Sequence, residues 1–492
     1  MRGAVAAGNA QTVAAGMAAL TLGGNAVDAV VAATLMACVT EPLLTGLGGG
    51  GLAMVRMSGQ TQVMDFFGTM PGLCGKAHGA MRAVDVDFGP VRQRFLAGPA
   101  SACVPGMPQG LWELHQRYGV LPMPLLAQDA VRACSEGVPV THATQLSAGL
   151  LWEILQMTPL SESLFGRDDD QGGRRPLQVG DTFYNPALGP TLVRLAQEGP
   201  AFLVTGQGAE AMVRTLGPES ALGMRDLAAY RALWSPALSA AYRGVQVHMP
   251  GAPSQGGFQV QHALQALGKS KRAAFSAQEI MDVARAMDNA ERAMPKDRVA
   301  LFGQGFGSKY LGSGYTTHTS VVDEAGNAVS ITSSLGETSG WVVPETGVVT
   351  NNFLGEADVN PPGHPRPPGE RLFTMCTPTL VQRGEEIIAM GAGGSSRIRS
   401  AVLHGVLYAV DHHAQPSKIS GRPRLHMEDG QLRLETFERA PEVLESVGRD
   451  WGEFISFPEY SMYMGGLHVA GKWAGRLSAG GDPRRSGSAA SS

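Results

Sequence analysis

The 492-residue chain is 43% hydrophobic and 17% charged, with 65 glycines and a formal net charge of −4. That composition describes a folded globular protein with room for one large α/β body or two ordinary domains, and no run of Lys and Arg suggests a nucleic-acid or anionic-membrane partner. The cysteines Cys38, Cys74, Cys103, Cys134 and Cys376 are odd in number and lack CxxC spacing, so they read as thiols in a reducing compartment rather than a disulfide frame or a zinc site.

The opening MRGAVAAGNAQTVAAG has an early Arg but no apolar signal-peptide core, and the longest apolar run, 29–39, is too short to span a bilayer. A cytoplasmic protein is expected, or a periplasmic one if the N-terminus has been trimmed. The pattern is helical over 10–40, broken at Gly23, Gly24 and Asn25. Its second half, 26–39, is apolar all round and so expected to be buried. Asp28 within it needs a partner or a place in the first turn, where a carboxylate suits the helix dipole. GLGGGGL (46–52) then leads into a strand at 53–57.

Amphipathic helices are expected over 108–160 and helices again over 190–235, with GRDDDQGGRRP (166–176) as a charged surface loop between them. From Thr316 the period changes to two: Thr316–Asp323 and Ala328–Ser334 alternate as strands around a turn-rich loop. Residues 350–371, with five prolines, read as loop. Strands at 379–381 and 387–390 lead to GAGGSS and a helix from about Ile398. From Gly475 onward the chain is small and polar and is expected to fray.

Centring the 323–327 loop on Ala325 makes a β-hairpin in which Thr316 faces Ser334, close enough for hydroxyl-to-hydroxyl hydrogen bonding. Spacing does not say which of the two is a nucleophile. A threonine hydroxyl needs a base. If Thr is the first residue of a chain, its own α-amine serves, with an unperturbed pKa of about 7.7–8. Cleavage between Tyr315 and Thr316 would create that amine, and the Gly-Ser-Gly at 312–314 offers a flexible approach. The glycine turn at 392–396, between a strand and a helix, suits an oxyanion-binding pair of backbone N–H groups, although a simple tight turn has the same pattern. It lacks GKS or GKT, so a P-loop is excluded.

Other residues have two readings. His318 shares the strand face of Thr316 and is either a relay or, as expected here, structural. Glu337 at the hairpin end is a ligand contact or a surface carboxylate. Arg397 and Arg399 neutralise a carboxylate near the site, or are solvated or paired with a structural acid; Asp323 is a turn residue. The DPRR at 482–485 has no physical account at this level.

Taken together, these pieces resemble the γ-glutamyltranspeptidase family over nearly the whole chain. The resemblance rests on GGNAVDAVVAA (23–33), EPLLTGLGGGG (41–51), VPGMPQGLWELHQRYGVLP (104–122), DLAAYRALW (226–234) and PSQGG (253–257). It continues, in family order, through TTHTSVVDEAGNAVSIT (316–332), VVPETGVVTNN (342–352), TPTLV (377–381) and GAGGSSRIRSAVLH (391–404). It implies an α/β fold, a four-layer αββα sandwich of the N-terminal-nucleophile (Ntn) hydrolase type. It also implies self-cleavage into a large-subunit region, 1–315, and a small-subunit region, 316–492, the two forming one αββα body. Thr316 would attack a γ-glutamyl amide such as glutathione, and the acyl group would pass to water or an amine acceptor. Ser334 matches the hydroxyl bonded to the nucleophile, and Gly394 and Ser395 match the oxyanion pair, commonly two glycines.

The departures lie in the glutamate grip. The family's Glu or Gln after the Asn-Asn pair, and its Asp three residues on, fall at Phe353 and Glu356. The Ser-Ser pair falls at Thr374 and Met375, and the Asn after the second-strand hydroxyl is replaced within Leu335, Gly336 and Glu337. The arginine for the α-carboxylate falls near Lys76, with Arg82, Arg92 and Arg94 as rivals. Substrate contacts are therefore expected from Glu356, Thr374, Lys76 and Glu337, in a bacterial branch resembled by NNFLGEADVNP (351–361). Fewer polar grips would leave a zwitterionic ligand under-satisfied. No metal or organic cofactor is implied. Two other functions stay open: an acylase acting on another amide, such as a β-lactam side chain or poly-γ-glutamate, and a scaffold that binds a small metabolite without turnover.

Overall fold

The computed structural model describes residues 1–87, 92–169, 171–268, 276–294, 315–361 and 366–492; the Gly-Ser-Gly at 312–314 and the Arg92 side chain fall outside them. Two antiparallel sheets lie face to face. The first has seven strands, in the order Leu233–Pro236, Gln60–Asp65, Gly50–Met57, Ala328–Ser334, Thr316–Asp323, Gly3–Ala7 and Ser488–Ser491. The second has six, in the order Leu238–Tyr242, Val245–Met249, Thr379–Arg383, Glu386–Gly393, Gly466–Trp473 and Arg476–Gly480. Between them sits a layer of mostly small or aliphatic side chains, including Ala4, Val322, Ala328, Leu380, Ala389 and Ala470.

Helices cover both outer faces. Ala10–Thr21 and Ala26–Thr40 pack on the first sheet, and Gln255–Leu267 and Arg397–Val410 on the second. The result is the expected αββα sandwich. Strands covered on both faces lose the apolar-polar alternation of a half-exposed sheet. Thr316–Asp323 is accordingly buried along its whole length, so each of its polar side chains must find a protein partner.

The helical break is real: Asn25 caps the second helix in a capping box with Asp28. Asp28 also accepts from the N–H groups of Val120 and Leu121, which satisfies a fully buried carboxylate. All fifteen residues of Ala26–Thr40 are buried, as an all-apolar helix requires.

Two expectations are corrected. Residues 166–176 hold a short antiparallel pair, Gly166–Asp168 with Arg174–Pro176, rather than a plain loop. The C-terminal stretch does not fray: Ser488–Ser491 pairs with Gly3–Ala7, and Arg484 and Arg485 are buried. Small polar residues form a strand there because a neighbouring strand supplies the hydrogen bonds.

Candidate active site

The hairpin register pairs Thr316 with Ser334. The Thr316 hydroxyl donates to Ser334 Oγ at 3.1 Å, and Ser334 Oγ donates to the carbonyl of Tyr315 at 2.8 Å while accepting from Gly336 N–H at 2.9 Å. One serine thus joins the threonine hydroxyl to the carbonyl of the peptide bond that precedes it. Thr316 is 4% exposed.

The next two residues anchor the strand. Thr317 Oγ1 donates to Glu41 at 2.5 Å, and Thr12 donates to the other Glu41 oxygen at 3.1 Å. Burial is the main cause that raises the Glu41 carboxyl to about 7, against these two hydroxyls and Arg485. His318 engages Thr332 through Nδ1 and Ser320 through Nε2, both at 2.8 Å. Burial and the neighbouring His468 hold its pKa well below the usual histidine range. Both ring nitrogens are thus engaged away from Thr316, which fits the structural reading. The backbone of Gly391 passes so close that an added Cβ would lie 2.3 Å from the imidazole.

The glycine turn arrives from the second sheet. A Cβ on Gly393 would stand 1.9 Å from the Thr316 carbonyl oxygen, so only glycine lets the two sheets meet there. Gly394 (φ 126°) and Ser395 (φ 47°) follow, and helix Arg397–Val410 begins directly after. The left-handed conformation costs a non-glycine residue about 1–2 kcal/mol. The Ser395 hydroxyl helps hold it by donating to Asp358 Oδ2 at 2.5 Å. Arg485, from the DPRR run, donates to the Thr316 carbonyl at 3.3 Å. Behind it, Asp482 receives Arg424 and Arg484, and Arg484 also pairs with Glu435 at 2.6 Å. Sequence periodicity carries no signal for Arg485 or Glu41, although both lie in family-like runs.

Of the expected substrate residues, Glu337 and Glu356 are buried, which removes the surface reading of Glu337. Glu337 Oε2 accepts from Asn352 Nδ2 at 3.1 Å. Burial raises both carboxyls well above the usual range; Glu337 adds to the rise at Glu356, and Asp358 adds to the rise at both. Thr374 is buried, and its hydroxyl accepts from Cys376 N–H at 3.1 Å. Phe353 stacks on Phe67 with centroids 4.5 Å apart, inside an apolar cluster with Leu52, Cys103 and Leu372.

Lys76 is exposed, and no described contact joins it to the residues around Thr316. Arg82 stands 3.7 Å from Glu153 and Arg94 pairs with Asp85 at 2.7 Å, both on the surface. Arg397 and Arg399 are buried instead of solvated. Arg397 donates to the Tyr463 carbonyl and to Ser396 Oγ, each at 3.1 Å. Arg399 lies 3.2 Å from Glu291 and 3.7 Å from Glu428.

The profile described as Gamma-glutamyltranspeptidase matches residues 12–310 and 304–492. The chain is 28% identical to the Acylase ACY 1 proenzyme of Pseudomonas sp. (strain SE83), covering 90% of this chain and 85% of that protein. It is also 28% identical to the glutathione hydrolase proenzyme of Escherichia coli (strain K12), covering 88% of this chain and 83% of that one. Among solved structures, a cephalosporin acylase from Bacillus halodurans matches with a TM-score of 0.83 at 21% identity, over 99% of this chain and 95% of that one, which is a likeness of fold.

Proposed function

Because the chain belongs to the γ-glutamyltranspeptidase family, we propose that it is a self-processing amidohydrolase and acyltransferase whose nucleophile is Thr316. The observation that carries this reading is the hydrogen-bonded series Thr316 Oγ1, Ser334 Oγ, Tyr315 carbonyl. In the uncut chain the Thr316 hydroxyl attacks the Tyr315 carbonyl, which Ser334 polarises. The peptide C–N bond breaks, leaving an ester and a free α-amine, and water then hydrolyses the ester. The products are 1–315 and 316–492.

In the cut protein the new α-amine takes the hydroxyl proton as Thr316 Oγ attacks a substrate amide. The N–H groups of Gly394 and Ser395 stabilise the oxyanion, and the leaving amine departs with a proton. Water or an acceptor amine then removes the acyl group. The substrate class is a small γ-glutamyl amide such as glutathione, contacted by Glu337, Glu356 and Thr374. Lys76 would need its exposed segment to move to take part. A second reading, an acylase for another amide, is favoured by the surface positions of Lys76, Arg82 and Arg94, none of which has a described contact with Thr316 or Ser334.

Intact-mass measurement of wild type beside Thr316→Ala tests the proposal. Wild type is expected as two fragments, one beginning at Thr316, and the variant as one chain. A wild-type chain that stays whole after prolonged incubation has no free threonine amine, and a metabolite-binding scaffold would then be the better reading.

A further inference from the structure

The turn that follows helix Ala26–Thr40 grips both strands of the hairpin one step behind the nucleophile. Glu41, which ends that helix, accepts from Thr317 Oγ1 at 2.5 Å. Its carbonyl accepts from Leu44 N–H at 2.8 Å and from Thr45 N–H at 3.1 Å, and Thr45 Oγ1 is bonded to Ser333 Oγ at 2.8 Å. Thr317 and Ser333 are partners in the register, next to the pair Thr316 and Ser334. Successive strand residues point to opposite faces, so the turn holds the reacting pair from behind.

The surroundings of Glu41 suit a neutral acid. A helix C-terminus carries partial negative charge, which opposes a carboxylate there. The Gly8 backbone packs on the carboxyl, where a Cβ would stand 2.1 Å from Oε2. Helix Ala10–Thr21 and strand Gly3–Ala7 contain no charged residue, and neither does strand Ala328–Ser334. On the nucleophile strand, His318 is uncharged and engaged with Thr332 and Ser320, and Asp323 is bonded to Asn327 at the far end. Burial pushes the Cys38 thiol, on Glu41's own helix, up to about 12, so it is neutral. Among the described residues, the cation acting on Glu41 is Arg485, which also donates to the Thr316 carbonyl. A protonated Glu41 has a path for its O–H. Thr12 Oγ1 lies 3.1 Å from Oε1 and 2.8 Å from Thr40 Oγ1, and Thr40 donates to the Met36 carbonyl at 3.2 Å. Donation along Glu41, Thr12, Thr40 and Met36 leaves Oε2 to accept from Thr317.

As Thr316 Oγ bonds to the Tyr315 carbonyl carbon, negative charge gathers on the carbonyl oxygen. It is released when the peptide C–N bond breaks, and the hydroxyl proton passes to the departing nitrogen. A carboxylate buried one residue away repels that charge across a medium of low dielectric, whereas a neutral acid does not. We propose that the turn 41–45 is the positioning device of self-processing: it holds Thr317 and Ser333 so that Thr316 and Ser334 meet, and Glu41 within it sets the pH response, its neutral form being the competent one. The inference rests on Thr316 being the nucleophile and deepens that reading.

The test follows full-length chain made in a short burst of cell-free translation. The chain is then held at pH values between about 5.5 and about 8.5, which bracket the Glu41 carboxyl at about 7, and the two fragments are read on a denaturing gel. Glu41→Gln copies the neutral acid in shape and does not titrate. The wild-type rate divided by the Glu41→Gln rate cancels the pH dependence that the two chains share. That ratio should stay within about twofold of one below about pH 6 and fall about tenfold by about pH 8.5. Thr317→Val keeps the side-chain shape and removes the hydroxyl. Folded by circular dichroism, it should process about tenfold more slowly than wild type at about pH 6. A ratio that does not change with pH overturns the inference, and so does a Thr317→Val chain that processes within about twofold of wild type at every pH. Should Glu41→Gln fail to fold, the Thr317→Val comparison decides alone. A wild-type chain that stays whole at every pH instead overturns the underlying assignment of Thr316.

Discussion

Glu41 shows what burial does to a single carboxyl. It receives hydroxyls from Thr317 and Thr12, yet desolvation lifts it from 4.5 to about 7. Folding therefore favours its protonated form. The stabilisation is present below the unfolded value and is lost as pH rises through about 7. We expect wild-type stability in urea to fall between about pH 5 and pH 8 by up to about 3 kcal/mol from this group. Glu41→Gln should flatten that slope, because its side chain does not titrate. Identical slopes for wild type and variant would mean that Glu41 is ionised throughout. Neither Glu41 nor Arg485 was legible as a site residue in the sequence. Each reaches its partner across a long stretch of chain, 276 residues from Glu41 to Thr317 and 169 from Arg485 to Thr316. Local spacing carries no information about such pairs.

At the scale of elements, legibility followed how much of each structure is fixed locally. Two alternating strands and a five-residue loop were enough to place Thr316 opposite Ser334, as the register has it. The break before Ala26–Thr40 was equally plain at Gly23, Gly24 and Asn25, whereas the capping box of Asn25 with Asp28 emerges only in the structure. Ser488–Ser491 was misread because SAAS has neither β-branched nor aromatic residues; its strand is imposed by the hydrogen bonds of Gly3–Ala7. The buried acids were only partly legible: Glu337 and Glu356 stood out as replacements, whereas Asp358 meets Ser395 only through the fold of the loop that carries it. Deleting residues 488–492 should lower the thermal midpoint by several degrees, since each lost kcal/mol moves it by about 2–4 °C or less in a chain of this size. An unchanged midpoint in differential scanning calorimetry would mean that the last strand contributes nothing to stability.

Across the whole molecule, the regions 1–315 and 316–492 are interleaved. The first sheet takes Gly3–Ala7, Gly50–Met57, Gln60–Asp65 and Leu233–Pro236 from one, and Thr316–Asp323, Ala328–Ser334 and Ser488–Ser491 from the other. The second sheet is shared in the same way. A cut at Thr316 would leave every ladder intact, so the two fragments should co-elute in native size-exclusion chromatography and separate only in denaturant. Separation without denaturant would contradict the shared sheets. The contact between Gly393 and the Thr316 carbonyl carries a further consequence. A chain end ordinarily frays, and an enzyme that uses one must gather it into place in every catalytic cycle. Here the end would be released inside a finished sandwich, with Ser334 beside it, Gly393 against it and Arg485 on its carbonyl. Its orientational freedom would already have been surrendered once, during folding, so no turnover would have to meet that entropy again.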